Sequence, residues 1–385
     1  MINKQEELID NAVLYFKRGD FSLGYRMLLD AALNTDNELI FTKTLHFVAQ
    51  YEKHTGDKIS LLDTFKKCAK EIKSCKLEIQ NELGTTILKA TNISKNYNTG
   101  RFILGPVNVT LNKGDIFGLV GENGNGKTTL LTVLASILAP TNGKVTYSFS
   151  TENIDDYDVL SKLVYIPQRT AVWYGKVLDN LKFALVHHNI KGNKNDLLVL
   201  MMVARFGLWK HKDLKWSELS SGYKMRFELA RTMLRKPEII LLDEPLANLD
   251  ILAQQIILED LQMLSKSAVN PIAMVFSSQQ LYEVEKISDH VIYLRNGKPS
   301  NQLNLEGKEM ESLIIELDTE NTRDEIEGVF SNQELQKLAF NGGVYILYFA
   351  TEITFNDVLM AIAKHNISVQ YIRDISKSTR RFFVY

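Results

Sequence analysis

The sequence predicts an α/β fold with a buried parallel sheet over residues 85–301, preceded by an all-helical module over 1–84 and followed by a small α/β domain over 302–385. Three observations carry that reading. Apolar residues before Gly84 recur at helical spacing. From Thr85 to Asn301 short aliphatic runs that end in Gly, Ser or Asp alternate with longer periodic segments, the pattern of an α/β domain. Beyond Leu305 strand-like and helix-like stretches alternate on a smaller scale.

At 385 residues the chain is too long for one hydrophobic core. Its 45% apolar and 24% charged residues match a folded globular protein, and a net charge of −1 creates no field to gather nucleic acid, so none is expected as a partner. No run approaches the roughly 18–20 apolar residues of a membrane span, and the polar start, Met1 to Glu7, is unlike a signal peptide. A cytoplasmic location follows as the expectation. Cys68 and Cys75 are seven residues apart on a predicted helix, about 10 Å at 1.5 Å per residue, too far for a disulfide and without partners for a zinc site.

In the helical module, Ala12, Tyr15 and Phe16 share a face before Gly19-Asp20, and Leu28, Ala31 and Ala32 follow. The pattern recurs around Phe47, Tyr51, Gly56-Asp57, Leu61, Leu62, Phe65 and Cys68, with the two Gly-Asp turns 37 residues apart. That period suits two helical hairpins, and the first unit resembles a tetratricopeptide repeat. Such a module binds a protein partner or covers part of a core; both readings stand.

The chemistry begins at Gly121-Glu122-Asn123-Gly124-Asn125-Gly126-Lys127-Thr128, followed by Thr129. Ile116 to Val120 reads as a buried strand leading in, and Leu130, Leu131, Leu134, Ile137 and Leu138 read as the core face of a helix running to Pro140. Glycines let backbone N–H groups close around phosphates at a helix N-terminus, whose partial positive charge favours an anion. Lys127 then reaches the terminal phosphates and the Thr128 hydroxyl can ligate Mg²⁺. A flexible glycine turn is the plainer alternative.

A second run, Ile239 to Leu242, ends in Asp243-Glu244, and a third, Ile272 to Phe276, ends in Ser277-Ser278-Gln279. In open parallel sheets ligands sit beyond the carboxyl ends of strands, so these ends can converge on one nucleotide. Asp243 is placed as a direct or outer Mg²⁺ group and Glu244 as the carboxylate that polarises an attacking water. A carboxylate pair at a strand end can also be structural. In the tail, Leu313 to Leu317, Val344 to Phe349 and Ile367 to Ile372 read as strands, Thr322 to Leu338 and Phe355 to Lys364 as helices, and the basic ending Lys377, Arg380-Arg381 as solvated surface.

Leu219-Ser220-Ser221-Gly222-Tyr223, with Asp243 following 21 residues after Gly222, resembles the Leu-Ser-Gly-Gly-Gln signature of ABC ATPases. The resemblance covers roughly Thr85 to Gly297. It implies that ATP and Mg²⁺ are bound, that Tyr97 stacks on adenine (Phe102 being the substitute if it does not), and that Gln168 in Tyr165-Ile166-Pro167-Gln168 contacts Mg²⁺. It also implies that Ala247-Asn248-Leu249-Asp250 crosses to a second subunit. Two such domains would pair head to tail, as a homodimer or with another ABC ATPase, so that Ser220, Ser221, Gly222 and Tyr223 of one close over the ATP of the other. The implied function is to power a membrane transporter, an exporter on the strength of the Ser-Ser-Gly signature. A separate permease would be received near Trp173-Tyr174-Gly175, which places the chain at the cytoplasmic face of the membrane. The alternative is a soluble ABC ATPase acting on ribosomes, DNA or a scaffold. The sequence departs from the pattern at Ser221, at Tyr223 and at Gln279, where the family has a histidine; the last puts the hydrolysis rate in question.

Overall fold

A computed structural model describes residues 4–75, 83–97, 103–149, 156–267, 269–299, 312–330, 335–341, 343–350 and 352–376. Phe102, Lys377 and Arg380-Arg381 lie outside them, as do residues 300–311, where the tail was expected to begin. The chain divides into two compact units: 1–279 with 286–300, and 280–285 with 301–385.

The first unit opens with four helices, α1 Lys4–Lys17, α2 Phe21–Leu33, α3 Glu38–Lys53 and α4 Leu62–Lys73. Asp20, Asn37 and Asp57 lie at the starts of α2, α3 and the short 3₁₀ turn before α4, each accepting from the following backbone N–H groups, so polar residues set where each turn ends. The helices pack on aromatic rings: Phe16 stacks on Phe65 at 4.2 Å between centroids and Tyr25 on Tyr51 at 4.1 Å. Gly24 admits the close crossing of α1 and α2, because a Cβ there would stand 2.8 Å from Ala12 O and Phe16 N. Cys68 is buried in α4, and burial pushes its thiol up to about 11.

Next come β1 Thr86–Asn96, β2 Ile103–Asn112, β3 Ile116–Val120, α5 Lys127–Leu134 and β4 Asn142–Tyr147. After them follow α6 Asp156–Lys162, β5 Leu163–Ile166, α7 Val177–Val186, α8 Gly192–Arg205 and α9 Ser221–Met233. The domain continues through β6 Ile239–Leu242, α10 Ile251–Ser265 and β7 Ala273–Ser278. The chain then passes through α11 Leu281–Glu285, which belongs to the second unit, and returns with β8 His290–Arg295 and β9 Lys298–Pro299. An antiparallel sheet β2-β1-β4 packs through Ile87, Leu88, Val109 and Leu111 into one core with a six-stranded sheet ordered β5-β6-β7-β3-β8-β9. That larger sheet is parallel from β5 through β8. All four residues of β6 are buried, as a strand covered on both faces requires. Its register pairs Ile166 with Leu242, Leu242 with Phe276 and Val120 with Ser278, so the residues after β3, β5, β6 and β7 leave the sheet at one edge.

The helix after β3 stops earlier than its apolar spacing predicts. Ile137 and Leu138 both donate to Thr132 O, Ser136 turns left-handed at φ 59°, and Ile137 is exposed. The four N-terminal helices are tied to this domain by a buried ionic cluster. Arg26 of α2 and Arg205 of α8 both donate to Asp260 Oδ1 of α10, at 2.8 and 2.6 Å, and Arg205 Nε reaches Asp30 Oδ1 at 2.6 Å. Burial opposes the charge on Arg205, but Asp30 and Asp260 outweigh it and hold the guanidinium protonated.

The second unit holds α11 with β10 Ser312–Asp318, α12 Arg323–Phe330, β11 Leu335–Asn341, β12 Val344–Ala350, α13 Phe355–Lys364 and β13 Tyr371–Asp374. Its sheet is antiparallel in the order β11-β12-β10-β13, with Leu317, Ile326, Phe330, Phe349 and Val358 in the core. Two expectations are corrected here. The helix predicted to run to Leu338 ends at Phe330, because residues from Leu335 pair with β12 in a hairpin that closes from Asn341 to Val344. The last strand begins at Tyr371 rather than Ile367, whose N–H is used on Ile362 O to finish α13.

Replacing Asp260 with Ala should cost less than a fully broken buried pair does, about 3–5 kcal/mol, since Arg26 keeps Glu259 and Arg205 keeps Asp30. A denaturant titration against the parent reads that loss as a lower midpoint.

Candidate nucleotide site

The loop after β3 turns into α5 through Gly124 and Gly126, whose φ of 84° and 96° only glycine adopts without strain. Asn125 braces it: the side chain is buried and Oδ1 accepts from Asn296 N at 2.9 Å. Glu122 and Asn123 are exposed on the loop's outer side. Lys127, only 5% exposed, folds into the loop, donating to Gly121 O at 2.6 Å and Glu122 O at 3.2 Å and pairing with Glu244 Oε1 at 3.2 Å.

The sheet edge then supplies oxygen and amide groups. Thr128 donates to Asp243 Oδ2 at 2.6 Å; Ser277, at the end of β7, donates to Asp243 Oδ1 at 2.7 Å; Tyr165, from β5, reaches Oδ2 at 3.3 Å. Burial first, then the Asp243 carboxylate, raises the Tyr165 phenol, so it serves as a donor. Glu244 sits at φ 46°, with its N–H on Ser277 Oγ at 2.9 Å. Its carboxylate accepts from Gln168 Nε2 at 2.8 Å and from Gln279 Nε2 at 3.0 Å. Lys127, Thr128, Gln168, Asp243, Glu244 and Gln279 are thus joined in one bonded cluster. Gln279 reaches it through Glu244, so whatever the amide does there it does beside the carboxylate.

Tyr97 is half-exposed at the end of β1, its hydroxyl 3.4 Å from Thr129 Oγ1, beside the loop as a base-stacking ring would be. The signature residues lie elsewhere. Ser220 caps α9 by accepting from Tyr223 N at 3.5 Å, Gly222 lies in the first turn, Ser221 donates to Asn248 O at 2.9 Å, and Tyr223 packs on the His211 ring at 3.9 Å. Asp250 caps α10 through Ala253 N at 2.8 Å. Among the described residues, the hydrogen bonds of Ser220, Ser221 and Asp250 run within this group and none runs to the loop 121–128. Trp173 Nε1 bonds Glu228 Oε1 at 2.9 Å, which leaves the neighbouring Tyr174 88% exposed.

Ser277 and Tyr165 were not singled out from the sequence. The available signal was a hydroxyl at the end of each of two otherwise aliphatic strands that abut the carboxylate strand.

This geometry defines a nucleotide-binding protein of the phosphate-loop class, with carboxylates at the adjacent strand end. A family model described as ABC transporter matches residues 104–247. The chain is 31% identical over 206 residues to the ABC transporter ATP-binding protein NatA of Bacillus subtilis, covering 50% of this chain and 78% of that protein. It is 30% identical over 221 residues to the spermidine/putrescine import ATP-binding protein PotA of Mesoplasma florum, where the match spans 59% of that protein, less than two thirds of its length. The lactococcin-A transport/processing ATP-binding protein LcnC of Lactococcus lactis is 28% identical over 221 residues, 55% of this chain and 30% of that protein. Among solved structures, cbiO1 from Clostridium perfringens superposes with a TM-score of 0.51 at 22% identity, covering 56% of this chain and 88% of that one. A dimeric ATP-binding cassette bound to ADP and Pi gives 0.51 at 23%, covering 58% and 100%. The chain belongs to the ABC transporter ATP-binding family and has the α/β fold of its ATPases.

Replacing Lys127 with Ala should weaken ATP binding at least tenfold, because a bond to a charged group is worth about 1.5–3 kcal/mol and the alanine leaves phosphate charge uncompensated. Equilibrium dialysis with labelled ATP measures it. Tyr97→Ala should cost roughly 1–3 kcal/mol in the same assay, the value of one base–aromatic stack.

Proposed function

We propose that this chain is the ATP-hydrolysing subunit of a membrane exporter, and that two ATPase domains close head to tail on ATP while a separate permease supplies the membrane spans. The observation that carries the hydrolytic part is Glu244, held at the junction of the loops after β3, β5 and β7 by Lys127, Gln168 and Gln279. There the carboxylate accepts a proton from water as the water oxygen bonds to the γ-phosphorus and the bond to the ADP oxygen breaks. Lys127 neutralises the β and γ phosphates. The Thr128 hydroxyl and the Asp243 carboxylate, which already touch, would hold Mg²⁺ together with the amide oxygen of Gln168, an all-oxygen donor set of the kind that ion takes. Mg²⁺ bound there supplies charge against the phosphate oxygens.

Transport is supported by the names of the relatives, which include an importer and a transport/processing protein. The outward direction rests on the Ser220-Ser221-Gly222 signature alone. Among the described residues no helix is long and apolar enough to cross a membrane, which fits an ATPase working at the cytoplasmic face beside a permease chain. The four N-terminal helices serve as a packing extension of the ATPase domain through the Arg26–Asp260–Arg205 cluster, and a protein partner for them is the second reading. Recovery of the chain with a polytopic protein from detergent-solubilised membranes tests the transport part; recovery only from the soluble fraction overturns it.

Glu244→Gln should bind ATP and accumulate as a closed dimer, with turnover lowered about 10²–10⁴-fold for loss of a general base. Gel filtration with ATP and a phosphate-release assay read the two effects. Gln279→Ala should lose roughly tenfold in turnover, the worth of one neutral hydrogen bond. Gln279→His should equal or exceed the parent, since a histidine adds a group able to carry charge near neutral pH.

A further inference from the structure

The Ser277 hydroxyl both donates and accepts. It donates to Asp243 Oδ1 at 2.7 Å and accepts from Glu244 N at 2.9 Å, and the residue is completely buried at the end of β7. One hydroxyl has one proton to give, and here it goes to the carboxylate, so the chain Glu244 N–H to Ser277 Oγ–H to Asp243 runs in one direction. It crosses from β7 to the two consecutive acids that end β6, and Val120↔Ser278 and Leu242↔Phe276 in the sheet register place it between the phosphate loop and the carboxylate strand.

Two consequences follow for the acids. With Oδ1 of Asp243 turned onto Ser277, the other oxygen, Oδ2, is the one presented to Thr128. With its N–H anchored, Glu244 holds the left-handed backbone at φ 46°, a conformation uncommon for a residue with a side chain, and from there its carboxylate reaches Lys127, Gln168 and Gln279. Removing the hydroxyl would leave both the Glu244 N–H and an oxygen of the buried Asp243 carboxylate without that partner.

We propose that Ser277 is a positioning residue for ATP hydrolysis: it orients Asp243 toward the metal and Glu244 toward the attacking water, without touching either. This rests on the reading of Glu244 as the general base.

The test compares Ser277→Thr with Ser277→Val, which have the same branched shape and nearly the same volume, with a methyl in Val where Thr has its hydroxyl; Ser277→Ala, which adds no volume, covers the case in which neither fits. Steady-state ATPase kinetics, Mn²⁺ binding in the presence of ATP by electron paramagnetic resonance, and thermal melting are measured on each, with Glu244→Gln as reference. The expected result is kcat lowered roughly tenfold or more in Val and Ala, with KM for ATP within about twofold and Mn²⁺ affinity several-fold weaker, and kcat in Thr near the parent's. A merely structural serine would shift melting in Val and Ala but leave kcat per folded molecule and Mn²⁺ affinity unchanged, and that result overturns the proposal. Loss of turnover in Glu244→Gln without loss in Val or Ala overturns the role of Ser277 and leaves the hydrolase reading standing. A parent protein with no ATPase activity overturns both.

Discussion

Everything at the candidate site depends on the acceptance of three hydrogen bonds by one buried carboxylate. Asp243 takes Thr128 from the helix after β3, Tyr165 from β5 and Ser277 from β7, so three neighbouring parts of the sheet are fixed against the strand that carries it. A buried carboxylate is costly unless its oxygens are satisfied, and here both are. The arrangement requires the parallel register: a slip of one residue in β6 would turn the carboxylate to the other face of the sheet. The four aliphatic residues of β6 resist such a slip by being buried on both faces, and in this way the apolar core sets the geometry of the polar site.

The same logic of shared charge operates at a second place in this unit. Asp260 lies on the helix that follows the loop Ala247 to Asp250, Arg205 on the last turn of α8 ahead of the signature, and Arg26 on an N-terminal helix. One carboxylate thereby joins the N-terminal module to both of the elements that frame the signature. The two guanidiniums must meet the same carboxylate oxygen, which is more demanding in geometry than an apolar contact.

How much of this could be read beforehand follows from distance along the chain. The phosphate loop is contiguous, so its glycine turn and its junction with α5 are marked within eight residues. Asp243-Glu244 and Gln279 were legible because each terminates a run too aliphatic to be anything but a buried strand. Ser277 and Tyr165 were not, because their meaning lies in a partner 34 and 78 residues away. The bond from Arg26 to Asp260 spans 234 residues, and nothing local marks either residue as buried. The misread segments fail for a related reason. Leu335 to Asn341 has helical spacing on its own, and only the partner strand β12 makes it extended. Ile137 and Leu138 continue the apolar period of α5, but the left-handed turn at Ser136 has already ended the helix.

The departures from the family signature have a local explanation. A glycine at position 221 could not reach the carbonyl of Asn248; the serine does, at 2.9 Å, and so ties the first turn of α9 to the loop that leads from the carboxylate strand to Asp250. Asn248 itself is left-handed at φ 61°, the kind of backbone that asparagine tolerates. Tyr223 supplies a second brace, with its ring on His211 and the Arg226 guanidinium over it at 5.2 Å. Burial and then Arg226 lower the His211 imidazole, which favours the neutral ring for this contact. Serine and tyrosine fasten the start of α9 on one side to the loop after β6 and on the other to the segment after α8. Ser220 and Gly222 thus lie in a first turn that Ser221 bonds to the loop ahead of Asp250.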